Sequence, residues 1–350
     1  MTTLDFKREQ RTSTFLDPRQ GYAPETVTTE FRADPLTGAT SRICHFARDR
    51  VPQPELAGLV ETSKGFCPFC PGVIEQATPK YPPEFLSGGV LTCGTARLFP
   101  NLFPYDDISA VVAISDQHHV PMAALTDSAV PNGLKVARAF LEAMEKKRPL
   151  GVDPAFSMVM WNYMPPSGSS LVHPHMQVLH TRNPGNALRR ELAAEIEYRA
   201  SHGRAYLSDL VAHEAGAGER WIGELGGIQW LVPFSPTGMV GDCIAVFPGR
   251  ATFTELDDGA IGQFAHGLQR VLRSFSDYGV WSFNLGFFPA TAPEDVDHHW
   301  LYARIVPRVF VNPATSAADA SYLQFLIEER VAMVYPEVTA ERLRASWASV

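Results

Sequence analysis

No apolar run approaches the roughly 18–20 residues of a membrane span, and the opening stretch MTTLDFKREQRTSTFLDPRQ lacks the apolar core of a secretory leader. A net positive charge is also missing. Thirty basic residues against 38 acidic ones give −8, so there is no overall basic footprint for a nucleic-acid polymer. Cysteine is scarce, five in 350 residues, an odd and low count for a disulfide scaffold. The expectation is a cytoplasmic chain whose partners include neither membrane nor nucleic-acid polymer. An anionic small substrate stays open, because a few placed arginines or backbone N–H groups bind phosphate on an acidic protein.

What is present is ample apolar mass, 45% of residues, enough for a full core. The 26 Gly and 28 Pro point to many turns and ordered loops. The second half repeats the order of the first. A strand-like ISAVVAI at 108–114 is matched by DCIAVFP at 242–248, and a helix-like stretch at 124–147 by one at 255–275. MVMWNYMPP at 158–166 answers to WSFNLGFFP at 281–289, and LVHPHMQVL at 171–179 to HHWLYARIV at 298–306. A repeat this long is a domain duplication. The fold expected is α+β, two tandem halves, each an antiparallel sheet with a long helix packed across it. The division is 1–186, a connecting helix and loop at 187–227, and 228–350. The charged run at 189–199 reads as a solvated helix face, and Cys44, Cys93 and Cys243 as small buried hydrophobes.

Two motifs carry chemistry. In His173-Pro174-His175-Met176-Gln177, an extended strand puts His173, His175 and Gln177 on one face. Three polar groups there are costly to bury without partners. In Cys67-Pro68-Phe69-Cys70-Pro71-Gly72, two thiolates with two residues between them suit one zinc. No βαβ pattern surrounds the pair to favour redox chemistry. Two further ligands would come from His118-His119 or from His173/His175.

CPFCPG, Arg32-Ala33-Asp34-Pro35-Leu36-Thr37-Gly38, Phe99-Pro100-Asn101, SDQHH and Asn162-x5-Gly168-x-Ser170-x2-HPHxQ stand in an order that resembles the galactose-1-phosphate uridylyltransferases. These form the nucleotidyltransferase branch of the histidine-triad superfamily. The resemblance covers nearly the whole chain and implies two histidine-triad-like halves. It implies His175 as the nucleophile that takes up a nucleoside monophosphate, with Gln177 holding a phosphoryl oxygen. Asn162, Gly168, Ser169 and Ser170 would contact phosphate, and Arg32 and Asn101 the nucleotide. Cys67, Cys70, His118 and His173 would hold one structural Zn2+ per chain, and the chain would form a homodimer. Imidazole suits the chemistry, being neutral near pH 7 and a good leaving group.

The resemblance breaks in three places. A second metal site of the family uses a Glu and three His; Glu191 is kept, but Phe288, Tyr302 and Arg304 stand at the His positions. In the hexose-binding segment, at 322–328, only Glu328 survives, and Leu102 replaces the Asp that would meet the ribose. An apolar pocket lined by Leu102, Tyr322 and Phe325 is expected. The activity implied is transfer of a nucleoside monophosphate from an NDP-sugar-like donor to a phosphate-bearing acceptor. The alternatives are a nucleotide-sugar or dinucleoside polyphosphate phosphorylase, a metal-dependent hydrolase, and a non-catalytic zinc-stabilised nucleotide-binding protein.

Overall fold

The structure, a computed structural model, describes residues 4–44, 50–125, 128–147 and 155–347. The chain opens with β1 (Arg8–Asp17), β2 (Ala23–Ala33) and β3 (Thr40–Ile43), then α1 (Ala57–Lys64) and α2 (Ile74–Ala77). Next come β4 (Leu91–Cys93), β5 (Ala96–Pro100), β6 (Ile108–Ala113), α3 (Ala129–Lys147), β7 (Phe156–Tyr163) and β8 (His175–Thr181). Helices α4 (Asn186–His202) and α5 (Tyr206–Ala217) lead to β9 (Trp221–Leu225), β10 (Ile228–Leu231) and β11 (Cys243–Val246). The chain continues with α6 (Asp258–Asp277), β12 (Ser282–Phe288), β13 (Tyr302–Arg308), β14 (Phe310–Asn312) and β15 (Ala317–Ala318). It ends with α7 (Tyr322–Leu326), β16 (Arg330–Ala332) and α8 (Pro336–Trp347).

Ten strands form one sheet in the order β4-β5-β6-β8-β7-β12-β13-β11-β10-β9. Read outward from its centre, the order 7-8-6-5-4 is repeated as 12-13-11-10-9. The α+β class and the repeated unit are therefore as the sequence indicates, and the two copies meet where β7 pairs antiparallel with β12. Each copy lays one long helix on the sheet. Helix α3 buries Leu134, Phe140, Leu141 and Met144, and α6 buries Ile261, Phe264, Leu268 and Phe275. At about 1.5–3 kcal/mol per large apolar side chain, this burial is the main driving force for docking. Each helix has a glycine where a side chain would not fit. A Cβ on Gly133 would stand 2.5 Å from Ile114, and one on Gly267 2.2 Å from Trp230.

Residues 126–127 of the expected first long helix lie outside the described residues. The charged segment after β8 is two helices and not one, because Gly203 at φ +77 caps α4 in the left-handed conformation. The end of the connecting segment expected at 187–227 is not all loop, since it contains β9. Among the described residues no helix is long and apolar enough to cross a membrane.

Candidate active site and metal centre

Cys67 and Cys70 lie in the turn between α1 and α2, where the N–H groups of Val73 and Ile74 both reach the Cys70 carbonyl. Phe69, between the two thiols, packs with Ile74, Phe99 and Val111 and pins the turn to β5 and β6. His118 follows β6 and His173 precedes β8. One donor atom from each of Cys67, Cys70, His118 and His173 lies within 4.8 Å of the others. Cys70 Sγ is 3.4 Å from His118 Nδ1, and Cys67 Sγ is 3.6 Å from His173 Nδ1. Tetrahedral zinc with ordinary bond lengths separates sulfur and nitrogen ligands by about 3.6 Å.

The hydrogen bonds around the two rings point the lone pairs inward. His173 Nε2 is 2.8 Å from the Ser115 carbonyl, which only accepts, so Nε2 carries the proton and Nδ1 faces the sulfurs unprotonated. Ser63 Oγ gives its proton to the Val60 carbonyl and lies 3.0 Å from His118 Nε2. It must therefore accept there, which again leaves Nδ1 bare. Outer partners of this kind orient metal-binding imidazoles. Without an ion, burial pushes the Cys67 thiol up to about 11 and His173 down to about 4. An ion would thus displace thiol protons but would meet a neutral His173 ring. The donor set fits Zn2+ and is closed, with no position left for substrate. His119 is not in the cluster.

His175 opens β8 and is buried, 6% exposed. Its Nδ1 is 2.8 Å from the His173 carbonyl, so Nδ1 is protonated and Nε2 keeps its lone pair. Burial holds its pKa below the ordinary value, opposed by that bond. The ring stands edge-on to Phe69 at 5.4 Å. A second relay orients Gln177. The Phe103 N–H donates to Asn101 Oδ1 at 3.0 Å, so Asn101 Nδ2 faces Gln177 Oε1 at 3.2 Å. The Gln177 NH2 is then the edge left to donate. His175, Gln177, Asn101 and Ser170 share one cavity of about 380 Å3, walled by Phe69, Phe99 and Leu171, with Leu102, Phe103 and Tyr105 at its exposed mouth.

The remaining expected site residues are placed as follows. Gly168 takes φ +89 in the loop before β8, and Ser169 Oγ donates to the Leu171 carbonyl at 2.7 Å. Asn162 sits opposite Asn284 across β7 and β12. Arg32 is 2% exposed and bound by Glu30 at 2.6 Å and Glu337 at 2.8 Å. It does not line the cavity. Glu328 is exposed beside Arg190 at 3.1 Å, also away from the cavity. Tyr322 and Phe325 project from α7, 66% and 76% exposed. The expected apolar pocket therefore keeps Leu102 and does not include them, because α7 is remote from β8 within one chain.

In the second copy β13 stands where β8 does. Tyr302 pairs with Val246 as His175 pairs with Ala113, and Arg304 with Ile244 as Gln177 with Val111. The Tyr302 hydroxyl donates to Glu191, and its ring stacks on Phe288 at 4.8 Å. Arg304 Nη1 donates to Thr237 at 2.7 Å and Asp242 at 3.2 Å. The solvated face expected at 189–199 is interrupted. Glu195 is 2% exposed and lies 2.5 Å from His299 Nδ1. Sequence reasoning missed this pair, because a Glu among alternating charges carries no mark of burial. It also missed Ser63, which is visible only as a hydroxyl one turn before the Cys pair.

No family model matches the chain. An uncharacterized protein of Archaeoglobus fulgidus is 28% identical over 99% of this chain and all of its own length. Among solved structures, an ADP-glucose phosphorylase of Arabidopsis thaliana with bound ADP-glucose superposes with a TM-score of 0.68 at 17% identity, covering 90% of this chain and 98% of that one. A uridylyltransferase superposes at 0.65 and 22% identity, covering 91% and 98%. The chain has the fold of these proteins, as the motif resemblance implies.

Proposed function

We propose that the chain, built on the fold these transferases and phosphorylases share, is a nucleotidyl-transferring enzyme working through a covalent His175 intermediate. One observation carries the reading: among the described residues the His175 ring is hydrogen-bonded through Nδ1, which leaves the Nε2 lone pair uncommitted on a ring that lines a cavity with Gln177 and Ser170. Nε2 attacks the α-phosphorus of a nucleotide donor. The bond from phosphorus to the bridging oxygen breaks and its electron pair leaves with the departing phosphate. An acceptor phosphate oxygen then attacks the same phosphorus and breaks the P–N bond, returning neutral imidazole. Gln177 and Ser170 donate to the non-bridging oxygens, whose charge they stabilise most in the transition state. Bound zinc would hold His173, and through it the start of β8, in place.

The cavity lining favours a phosphorylase over a hexose-phosphate transferase. It offers aromatic rings, amides and hydroxyls, while the one retained acidic residue of the hexose segment, Glu328, lies outside it. Free phosphate as acceptor needs no sugar-binding carboxylate. A hydrolase with His173 and His175 on one metal is disfavoured, since the bare Nδ1 of His173 faces the thiols and His175 Nδ1 is spent on a carbonyl. A homodimer and a cytoplasmic setting belong to the same reading. The test is the intact mass of the protein after incubation with ADP-glucose or UDP-glucose. A gain of one nucleoside monophosphate, lost on adding phosphate, is expected; an unchanged mass with both donors, and with other nucleotide donors, sinks the proposal.

A further inference from the structure

Strand β12 of the second copy grips the turn that leads to Gly168-Ser169-Ser170. Ser282 and Asn284, two residues apart, face the same way. Ser282 Oγ donates to the Tyr163 carbonyl at 2.6 Å. Asn284 Nδ2 donates to Asn162 Oδ1 at 2.7 Å and to the Ser167 carbonyl at 2.9 Å. Inside this grip Met164 is held at φ 66, a left-handed conformation that persists only where the surroundings over-determine it.

The polarity of the grip is set from farther out. Buried Asp319 takes the Arg308 guanidinium on both oxygens, Nε at 2.9 Å and Nη2 at 2.6 Å. Arg308 Nη1 donates to Asn284 Oδ1 at 2.7 Å. A guanidinium has donors only, so the Asn284 oxygen must face it and the Asn284 NH2 must face Asn162. Asn162 then accepts on Oδ1 and keeps its own NH2 as a donor. Met160 pairs with Gln177 across β7 and β8, and Asn162, two residues on, lies on the same face of the sheet.

We propose that Asn284, oriented by Arg308 and Asp319, is a positioning residue that turns Asn162 into a hydrogen-bond donor for the transferring phosphoryl group and fixes the turn that presents Ser170 to it. This rests on the nucleotidyl-transfer reading of His175. Asn284→Asp keeps a partner for Arg308 but has no N–H for Asn162. Arg308→Gln would give its NH2 to Asp319 and turn its carbonyl toward Asn284, inverting the relay, whereas Arg308→Lys keeps a donor-only cation.

The measurement is the rate of adduct formation from ADP-glucose and UDP-glucose by rapid quench, with metal content and melting temperature alongside. Asn284→Asp and Arg308→Gln are expected to slow the step at least about tenfold at saturating donor, with KM within about threefold. Arg308→Lys should stay near the wild-type rate, and metal content should not change. Wild-type rates in both Asn284→Asp and Arg308→Gln, or equal losses in Arg308→Lys and Arg308→Gln, overturn the inference. Should Asn284→Asp fail to fold, the two Arg308 variants decide. A wild-type chain that forms no adduct but prefers AMP or UMP to the free nucleoside overturns the covalent step alone. The at least about tenfold loss of that preference in Arg308→Gln then tests the relay. A wild-type chain showing neither adduct nor preference overturns both.

Discussion

The two halves of the sheet place a histidine near equivalent strands and leave it in opposite chemical states. His175 gives one nitrogen to a carbonyl and keeps the other bare. His299, which precedes β13, gives both away: Nδ1 faces Glu195 at 2.5 Å and Nε2 faces the Phe288 carbonyl at 2.9 Å. The Phe288 carbonyl only accepts, so Nε2 carries a proton, and Nδ1 is spent on Glu195 whichever of the two holds that proton, so the ring has no free lone pair. It can neither attack phosphorus nor ligate a metal. On β13 itself the positions of His175 and Gln177 are Tyr302 and Arg304, each tied to a carboxylate. A duplicated scaffold thus supplies two equivalent strand positions, and reactivity follows from how many hydrogen bonds each imidazole is made to satisfy.

The largest difference should appear on substitution of the two positions that the duplication aligns. His175→Ala is expected to lower adduct formation at least about a thousandfold, because nothing else in the cavity supplies an unprotonated nucleophile. Tyr302→Phe should leave the rate within about threefold, since Tyr302 lies in the other half. Comparable losses from both would mean that the halves share one reaction centre, and the contrast would fail.

Metal analysis sharpens the same contrast. The first half brings two thiols and two inward lone pairs together; the corresponding region of the second offers an imidazole bonded at both nitrogens and paired carboxylates. We expect about one zinc per chain, lost with Cys70→Ala and kept with His299→Gln. Loss of zinc should cost adduct formation more than about tenfold, because the Cys67–Cys70 turn walls the cavity through Phe69 and His173 precedes His175 by two residues. Two zinc ions per chain, or a metal-free Cys70→Ala enzyme at full rate, would contradict it.

Much of the first half was legible from residues alone. Cysteines separated by two residues and a Gly-Ser turn announce their chemistry through spacing, but of the HPHxQ motif only His175 and Gln177 lie on the strand and line the cavity, while His173 precedes β8 and turns to the thiols. The second half has no such spacing. Glu195 and His299 are 104 residues apart, and nothing in either neighbourhood shows that folding buries them together. Arg32 illustrates the converse. It stands in a recognisable motif, yet Glu30 and Glu337 claim it, the latter from 305 residues away. Long-range charge pairing is set by tertiary packing, so a local pattern shows that an arginine is present and not what it faces.

A smaller effect should separate Tyr302→Phe from wild type in stability rather than rate. The hydroxyl donates to Glu191, a half-buried residue of α4. Removing it leaves a carboxylate short of a donor, at about 1 kcal/mol. A urea midpoint indistinguishable from wild type would show that water replaces the bond.

The finest test concerns charge. Burial disfavours the His299 imidazolium, but the Glu195 carboxylate and its hydrogen bond outweigh burial and hold the pKa above the ordinary 6.5. In the unfolded chain the ring returns to that ordinary value, so near neutrality the folded state binds more protons than the unfolded one. The stabilisation is therefore complete below about pH 6.5 and is lost as pH climbs through the folded value. Glu195→Gln removes the opposite charge, lets burial dominate and lowers the folded pKa. The urea midpoint of wild type should fall relative to that of Glu195→Gln as pH is raised from about 6 to about 9. Parallel curves would mean that His299 is neutral in the folded chain, and the two histidines would then differ in surroundings but not in protonation.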